Sequence, residues 1–301
     1  MAQLESQILD ASLSAMTGGE TGRGHVRTLR RILRNRPLVI GGAIVLVLIL
    51  SSLLAPVLSP YNPQAMNLIA AMQPPSLAHL AGTDNFGRDM FSRILYGGRV
   101  ALLVGFTSVA ISMVIGCVLG FAAGYAGGRA DMLVQRLMDL MLAFPSLLLA
   151  FLVIAILGPG LVNAIIAIGV SGIPVYARIA RAEVLKLRHR EFVDAARALG
   201  AGDVRVLFKH VIPNSLSPIL VLAGLGVASA ILTEAALSYI GLGAQPPSPD
   251  WGATLSQAQD YIETQWWLPT FPGLAIVIAA LGFNLLGDGL RDWLDPHLKQ
   301  R

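Results

Sequence analysis

The chain has 301 residues, 54% of them hydrophobic and only 13% charged, with a mean hydropathy of +0.65. That balance excludes an ordinary soluble globular protein and places the chain among integral membrane proteins. The net charge of +4 is no argument for a nucleic-acid partner, because the placement of the 22 Lys and Arg residues matters more than their number.

Residues 1–22 are polar and aperiodic and read as a mobile cytoplasmic tail. Residues 23–37 form a basic cytoplasmic segment, with Arg23, Arg27, Arg30, Arg31, Arg34 and Arg36 placed ahead of the apolar run Leu38 to Leu58. A signal peptide has the same order of charge and apolar run. This run is about 20 residues, against roughly 7 to 15 for a signal's apolar core, and no convincing A-x-A site follows it. A retained first span is therefore expected.

Further spans are expected at about Val100 to Ala123, Leu140 to Leu157, Leu161 to Tyr176, Leu216 to Thr233 and Leu268 to Leu286. Each is near the roughly 17 to 25 residues that cross a bilayer. The fold class that follows is all-α, a polytopic membrane protein with six transmembrane helices, residues 38–301 forming the membrane domain. Gly169, Gly172 and Pro174 interrupt the fourth span, where a broken helix is expected. Cys117 lies in an apolar run and reads as a small packing residue, with no partner for a disulfide or a cysteine metal site.

Six spans put both termini on one side. All the Lys and Arg residues except Arg88, Arg93 and Arg99 fall on that side, which the positive-inside rule makes cytoplasmic. The first outer loop, Ser59 to Arg99, opens on the turn SPYNP. Within it Met90, Phe91, Ile94 and Leu95 suit one face of a short interfacial helix, with Arg88, Arg93 and Arg99 reaching water or headgroups. The second, Gly241 to Trp267, carries Trp251, Trp266 and Trp267, residues that mark the headgroup region when they sit at a span end.

Between two apolar runs stands a charged island, EFVDAARALGAGDVRVLFKHVIPN from Glu191 to Asn214, within a cytoplasmic loop of about 178–214. Asp194, Ala195, Ala196 and Leu199 favour a helix and Gly200 and Gly202 break it. Asp203 is placed to cap a second short helix ending near Pro213. Small side chains at Ala195, Ala196, Ala198 and Gly200 allow another protein to approach the backbone, with Arg197, Arg205 and Lys209 around them. The alternative is an ordinary amphipathic cytoplasmic loop.

Reactive groups are sparse. His25, His79, His189, His210 and His297 are scattered without metal-ligand spacing, and no G-x-x-x-x-G-K-[ST] stretch is present to bind ATP. Near the spans, Arg136 with Asp139, and Arg291 with Asp288 or Asp292, are spaced for helical ion pairs. Glu234 has no evident partner and is a candidate for lining a passage or latching an outer gate, set against a structural role. A secondary transporter or channel would need ion-coupling acids, of which Glu234 is the one candidate. An intramembrane hydrolase would need a nucleophile with a positioned base, and none of the histidines lies within a span.

Asp194, Ala195 and Ala196, followed by Gly200 and then by Ile212 and Pro213, resemble the EAA loop of ABC-importer permeases, with Asp194 where that family expects Glu and His210 where an aliphatic residue is usual. GTDNFGRDMFSR at 82–93, SYIGLGAQPPSPDWGATL at 238–255 and FNLLGDGLRDWLDPHLK at 283–299 extend the likeness to the dipeptide and oligopeptide permease family, in the order of its C-type membrane subunit. The resemblance implies a type I ABC importer in the bacterial inner membrane. In it this chain would pair with a homologous B-type permease, two cytoplasmic ATPases that bind ATP and Mg, and an extracytoplasmic solute-binding protein. It further implies that Asp194, Ala195, Ala196, Arg197, Gly200 and Pro213 belong to the ATPase-coupling loop, and that the chain is not itself an enzyme. Peptide is the first substrate expected; nickel, glutathione or an opine would use the same architecture.

Overall fold

The computed structural model describes residues 35–294. The expected tail 1–22 and nearly all of the basic segment 23–37 lie outside the described residues. Among the described residues the regular structure is helical apart from one isolated bridge, Thr83 to Asp89. The helices are α1 (Arg36–Leu53), α2 (Ala55–Leu58), α3 (Met90–Ala126), α4 (Gly128–Leu142), α5 (Ser146–Leu157), α6 (Leu161–Leu187), α7 (Glu191–Ala198), α8 (Asp203–Val206), α9 (Ile212–Tyr239), α10 (Trp251–Gln257) and α11 (Trp267–Leu294).

Local chemistry sets the helix ends. The Asn35 side chain caps α1, accepting from the Leu38 N–H at 3.1 Å, and its amide donates to the Gly289 carbonyl at 3.1 Å, tying α1 to α11. Asp89 caps α3, accepting from the Ser92 N–H at 2.7 Å. With 37 residues α3 is about 55 Å long at 1.5 Å per residue, well beyond the roughly 30 Å hydrocarbon layer. The expected interfacial helix of Met90 to Leu95 is therefore no separate element. It is the outer end of α3, continuous with the second span.

The bundle centres on α3 against α6. Gly116, Gly120 and Gly124 stand four residues apart on α3 and face Ile173, Tyr176, Ala177, Ala180 and Val184 of α6. A Cβ at Gly120 would run into the Ala177 carbonyl oxygen, so the backbones touch along this seam. Ser108 donates to the Ile165 carbonyl at 3.1 Å and Ser112 to the Gly169 carbonyl at 2.6 Å across the same interface. Outward-facing Leu46, Val47, Leu53 and Val57 remain exposed, the apolar exterior that lipid contact requires.

Three span boundaries differ from expectation. The fourth span is not broken: α6 runs unbroken through Gly169, Gly172 and Pro174. These glycines serve packing instead, because Cβ atoms there would strike Ile111 and Ser112 of α3. The third span, expected from Leu140 to Leu157, is interrupted at 143–145: Leu140 to Leu142 end α4, and Ser146–Leu157 supplies about 18 Å of helix. Pro145 lacks an N–H and disfavours helix at Phe144, so α4 and α5 meet at 92°. With that bent pair counted as one crossing, the described chain has six, five of them single long helices.

The fifth span begins earlier than Leu216. From Asp203 the helix continues through a π turn at Leu207–Val211 into α9, giving an unbroken run to Tyr239. Pro213 follows the π turn directly, a local irregularity of the kind that accommodates a residue without an N–H inside a continuous helix.

We predict that Gly120→Val separates α3 from α6 and destabilises the fold by about 1–3 kcal/mol. Thermal melting of the detergent-purified chain should fall, whereas Gly42→Ala, inside α1 with its nearest neighbour 4.0 Å from the added Cβ, should melt close to the parent.

Candidate functional site

The charged island folds as a bracket on the inner end of the bundle. Helix α7 ends at Ala198 with Leu199 as its C-cap, after which Gly200 takes φ +83° and turns the chain back. The Gly200 N–H donates to the Arg197 carbonyl at 2.9 Å and the Ala201 N–H to the Ala196 carbonyl at 3.0 Å, a Schellman closure that needs the left-handed conformation glycine provides. Within the chain a Cβ on Gly200 would meet nothing within 4 Å. The glycine is required by backbone conformation.

Of the residues expected in this site, Asp194, Ala195, Arg197, Gly200 and Pro213 are exposed and Ala196 is half-buried. Val193, Val206 and Val211 are fully buried and join the same apolar core as Val184 and Leu187 at the end of α6. The bracket is thus nailed to the bundle on one side and open on the other. Its open side also carries Leu199 at 89%, Val204 at 72% and Phe208 at 66% exposure. A reading weighted toward small and charged residues misses these three. The signal is present in principle, since Val193 and Val206 occupy the helix faces that must turn inward.

Asp203 is not the cap of α8; Gly202 holds that position without a side-chain bond. Its carboxylate accepts instead from the Tyr125 hydroxyl of α3 at 2.7 Å, and Arg197 donates to the same hydroxyl at 3.4 Å. Arg197 lies 3.9 Å from Asp194 and 4.0 Å from Asp203. The Tyr125 hydroxyl, and after it the Asp203 and Asp194 carboxylates, raise the Arg197 pKa above its already high ordinary value, so this side chain is a fixed cation. A separation of 78 residues hides the Tyr125–Asp203 contact from any sequence pattern.

The expected helical ion pairs near the spans are replaced by others. Asp139 pairs with Arg178 at 2.5 Å rather than with Arg136, and Asp131 takes a bidentate bond from Arg181 at 2.5 and 2.6 Å, both linking α4 to α6. Among the described residues Arg291 pairs with neither Asp288 nor Asp292 within 4 Å. No group of three His, Cys, Asp or Glu residues among the described ones is arranged to hold a metal.

At the opposite end the two outer loops fold onto the tip of α3. Arg88 and Arg93, expected in water or headgroups, are each only 2% exposed. Arg88 donates to Asp84 at 2.6 Å and to Gln257 at 2.8 Å, and Arg93 donates to Thr254 at 3.2 Å. The burial follows from pairing, since a buried guanidinium needs an acceptor for its charge. Arg99 is exposed and donates to the Ser52 and Leu53 carbonyls at the end of α1. Trp251 and Trp267 are buried too, donating their indole N–H groups to the Ile94 and Thr83 carbonyls at 2.9 and 3.3 Å; Trp266 alone of the three stays exposed. Glu234 is 1% exposed and accepts from Ser238 at 2.7 Å. Helix α10 covers it, for a Cβ on Gly252 would collide with Ala235, and Asp250 at the head of α10 is its neighbour.

A bundle of six crossings with a bracket folded against one end is the architecture of a polytopic helical membrane protein. The solved MetNI methionine ABC transporter in inward-facing form has this fold, with a TM-score of 0.57 and 20% identity over 68% of this chain and 98% of that one. The chain belongs to the family described as binding-protein-dependent transport system inner membrane component, whose model matches residues 116–300, and residues 26–75 match the N-terminal transmembrane domain of oligopeptide transport permease C. Its relatives include the dipeptide transport system permease protein of Escherichia coli K12, 48% identical over 273 residues covering 89% of this chain and 91% of that protein. The di/tripeptide transport system permease protein of Pseudomonas aeruginosa is 48% identical over 267 residues, covering 86% of this chain and 88% of its own length.

Asp84 is the carboxylate paired with both buried cations, Arg88 at 2.6 Å and Arg93 at 3.8 Å. Asp84→Ala should destabilise the outer cap by about 3–5 kcal/mol, seen as protease cutting between residues 59 and 89 in detergent, while Asp84→Asn should lose less.

Proposed function

We propose that this chain is one of two permease subunits of an ATP-driven importer for dipeptides or short oligopeptides, forming half of the translocation pathway. The observation that carries the substrate class is the 48% identity, over about nine-tenths of both chains, to a permease named for dipeptide transport. The other half of the pathway would come from a homologous B-type permease. An extracytoplasmic binding protein would deliver the peptide, and both termini would lie in the cytoplasm.

Coupling is assigned to the bracket Glu191–Asn214. Its outward face offers Asp194, Ala195 and Ala198 around a glycine-closed helix end, flanked by exposed Leu199, Val204 and Phe208. Apolar side chains of that size at a cytoplasmic surface are stable when a partner covers them. The partner would be one of two ATPase subunits, which hold the ATP and Mg and supply the hydrolysis. Movement of those subunits would press on the bracket and shift the helices to which Val193, Val206 and Val211 fix it.

Two substitutions at Gly200 separate docking from backbone strain. Gly200→Ala strains the left-handed turn by about 1–2 kcal/mol but fills only open space. Gly200→Trp adds bulk that matters only where a partner sits. In proteoliposomes holding both permeases and the ATPases, with the binding protein outside and ATP inside, labelled dipeptide should enter, compete with unlabelled dipeptide and require ATP. Gly200→Ala should retain most uptake. Gly200→Trp should insert normally and lose roughly ten-fold or more, the equivalent of ~1.4 kcal/mol of docking. Equal uptake by the two variants would refute docking on this face, and uptake of nickel instead of dipeptide would overturn the substrate.

A further inference from the structure

The bracket is attached to the bundle in two chemically different ways. Buried valines hold it to α6 and to the start of its own α9, elements it adjoins in sequence. Its hydrogen bonding to α3, by contrast, passes through a single side chain. Among the described residues, Tyr125 is the one α3 side chain hydrogen-bonded to the bracket, donating to Asp203 on α8 at 2.7 Å and accepting from Arg197 on α7 at 3.4 Å. One hydroxyl therefore touches both arms of the bracket, on either side of Gly200.

The position of Tyr125 in α3 gives the contact its consequence. It stands one residue before the end of the helix, and the next turn consists of Gly127 and Gly128, with φ of +66° and +56°. A Cβ added to either glycine would meet nothing within 4 Å, so this turn is free of packing and defined by backbone conformation alone. Beyond it lies α4, tied to α6 by the Asp131–Arg181 and Asp139–Arg178 bonds and leading through the 92° bend to α5. A displacement of the bracket delivered to Tyr125 arrives at the joint between α3 and α4.

We propose that Tyr125 is a positioning residue for transport, a strut that carries the movement of the coupling bracket to the α3–α4 joint, with Asp203 and Arg197 as its two footholds. This assignment rests on the docking of an ATPase to the bracket. Without the strut the bracket would still bind its ATPase and follow it through the valine contacts, but α3 and α4 would respond less to each cycle. ATP would then be hydrolysed without the matching import.

The assembled transporter in proteoliposomes tests this through the number of ATP molecules hydrolysed per labelled dipeptide imported. Tyr125→Phe keeps the ring and removes the hydroxyl. The ratio should rise roughly two- to ten-fold, the range spanned by one lost hydrogen bond, with assembly and melting temperature unchanged. Asp203→Ala should match it and the double substitution should add nothing, since both act on one contact. Asp203→Asn, which retains an acceptor oxygen, should restore most of the coupling. A parent-like ratio in Tyr125→Phe, alongside lost transport in Gly200→Trp, would overturn the strut and leave docking intact. Full transport in Gly200→Trp would remove the docking on which the strut depends.

Discussion

The close approach of α3 and α6 is the constraint on which the remaining architecture rests. In lipid there is no hydrophobic gain in bringing two apolar helices together, so association depends on backbone contact and on polar groups that find each other. Gly116, Gly120 and Gly124 permit the first, and Ser108 and Ser112 supply the second by donating to α6 carbonyls. With that seam fixed, the inner ends of both helices are held side by side. The bracket, emerging from α6, is thereby brought against the end of α3, and α9 returns beside them to complete the bundle.

The two ends of the molecule solve the problem of polar groups differently. At the outer end the cations are inside. Arg88 and Arg93 sit among Asp84, Gln257 and Thr254, and Trp251 and Trp267 bond back to α3 and the first loop. Loops far apart in sequence are thus locked into one cap, and Glu234 lies beneath it. At the other end the charged residues of the bracket face outward while Val193, Val206 and Val211, with Ala201, Leu207 and Ile212, pack against the core. A bracket anchored on one side leaves Leu199, Val204 and Phe208 exposed on the other.

Much of this is legible in the residues. Composition and the lengths of the apolar runs define a polytopic helical membrane protein. The order of Asp194, Ala195, Ala196 and Gly200 marks the bracket, because a helix followed by a glycine at a left-handed turn is a local event written in adjacent residues. The misreadings share one cause, which is that a glycine or an arginine takes its meaning from what lies across the interface. Gly169 and Gly172 look like helix breakers and are packing sites against Ile111 and Ser112. Arg88 and Arg93 look like surface charge and are buried, because Thr254 and Gln257 arrive from a distant loop to receive them.

What the sequence alone determined is therefore what depends on solvent preference and on neighbours along the chain: the membrane as environment, the helical class, the approximate spans, and the helix–glycine turn at Gly200. What only the tertiary structure decided is what depends on pairs far apart in sequence. These are the unbroken α6, the 92° joint between α4 and α5, the closed outer cap over Glu234, and the bond from Tyr125 to Asp203 across 78 residues. The physical reason is that partitioning into lipid and helix closure are local free energies, whereas a buried charge or a backbone-to-backbone contact is stable only once the opposing surface is in place.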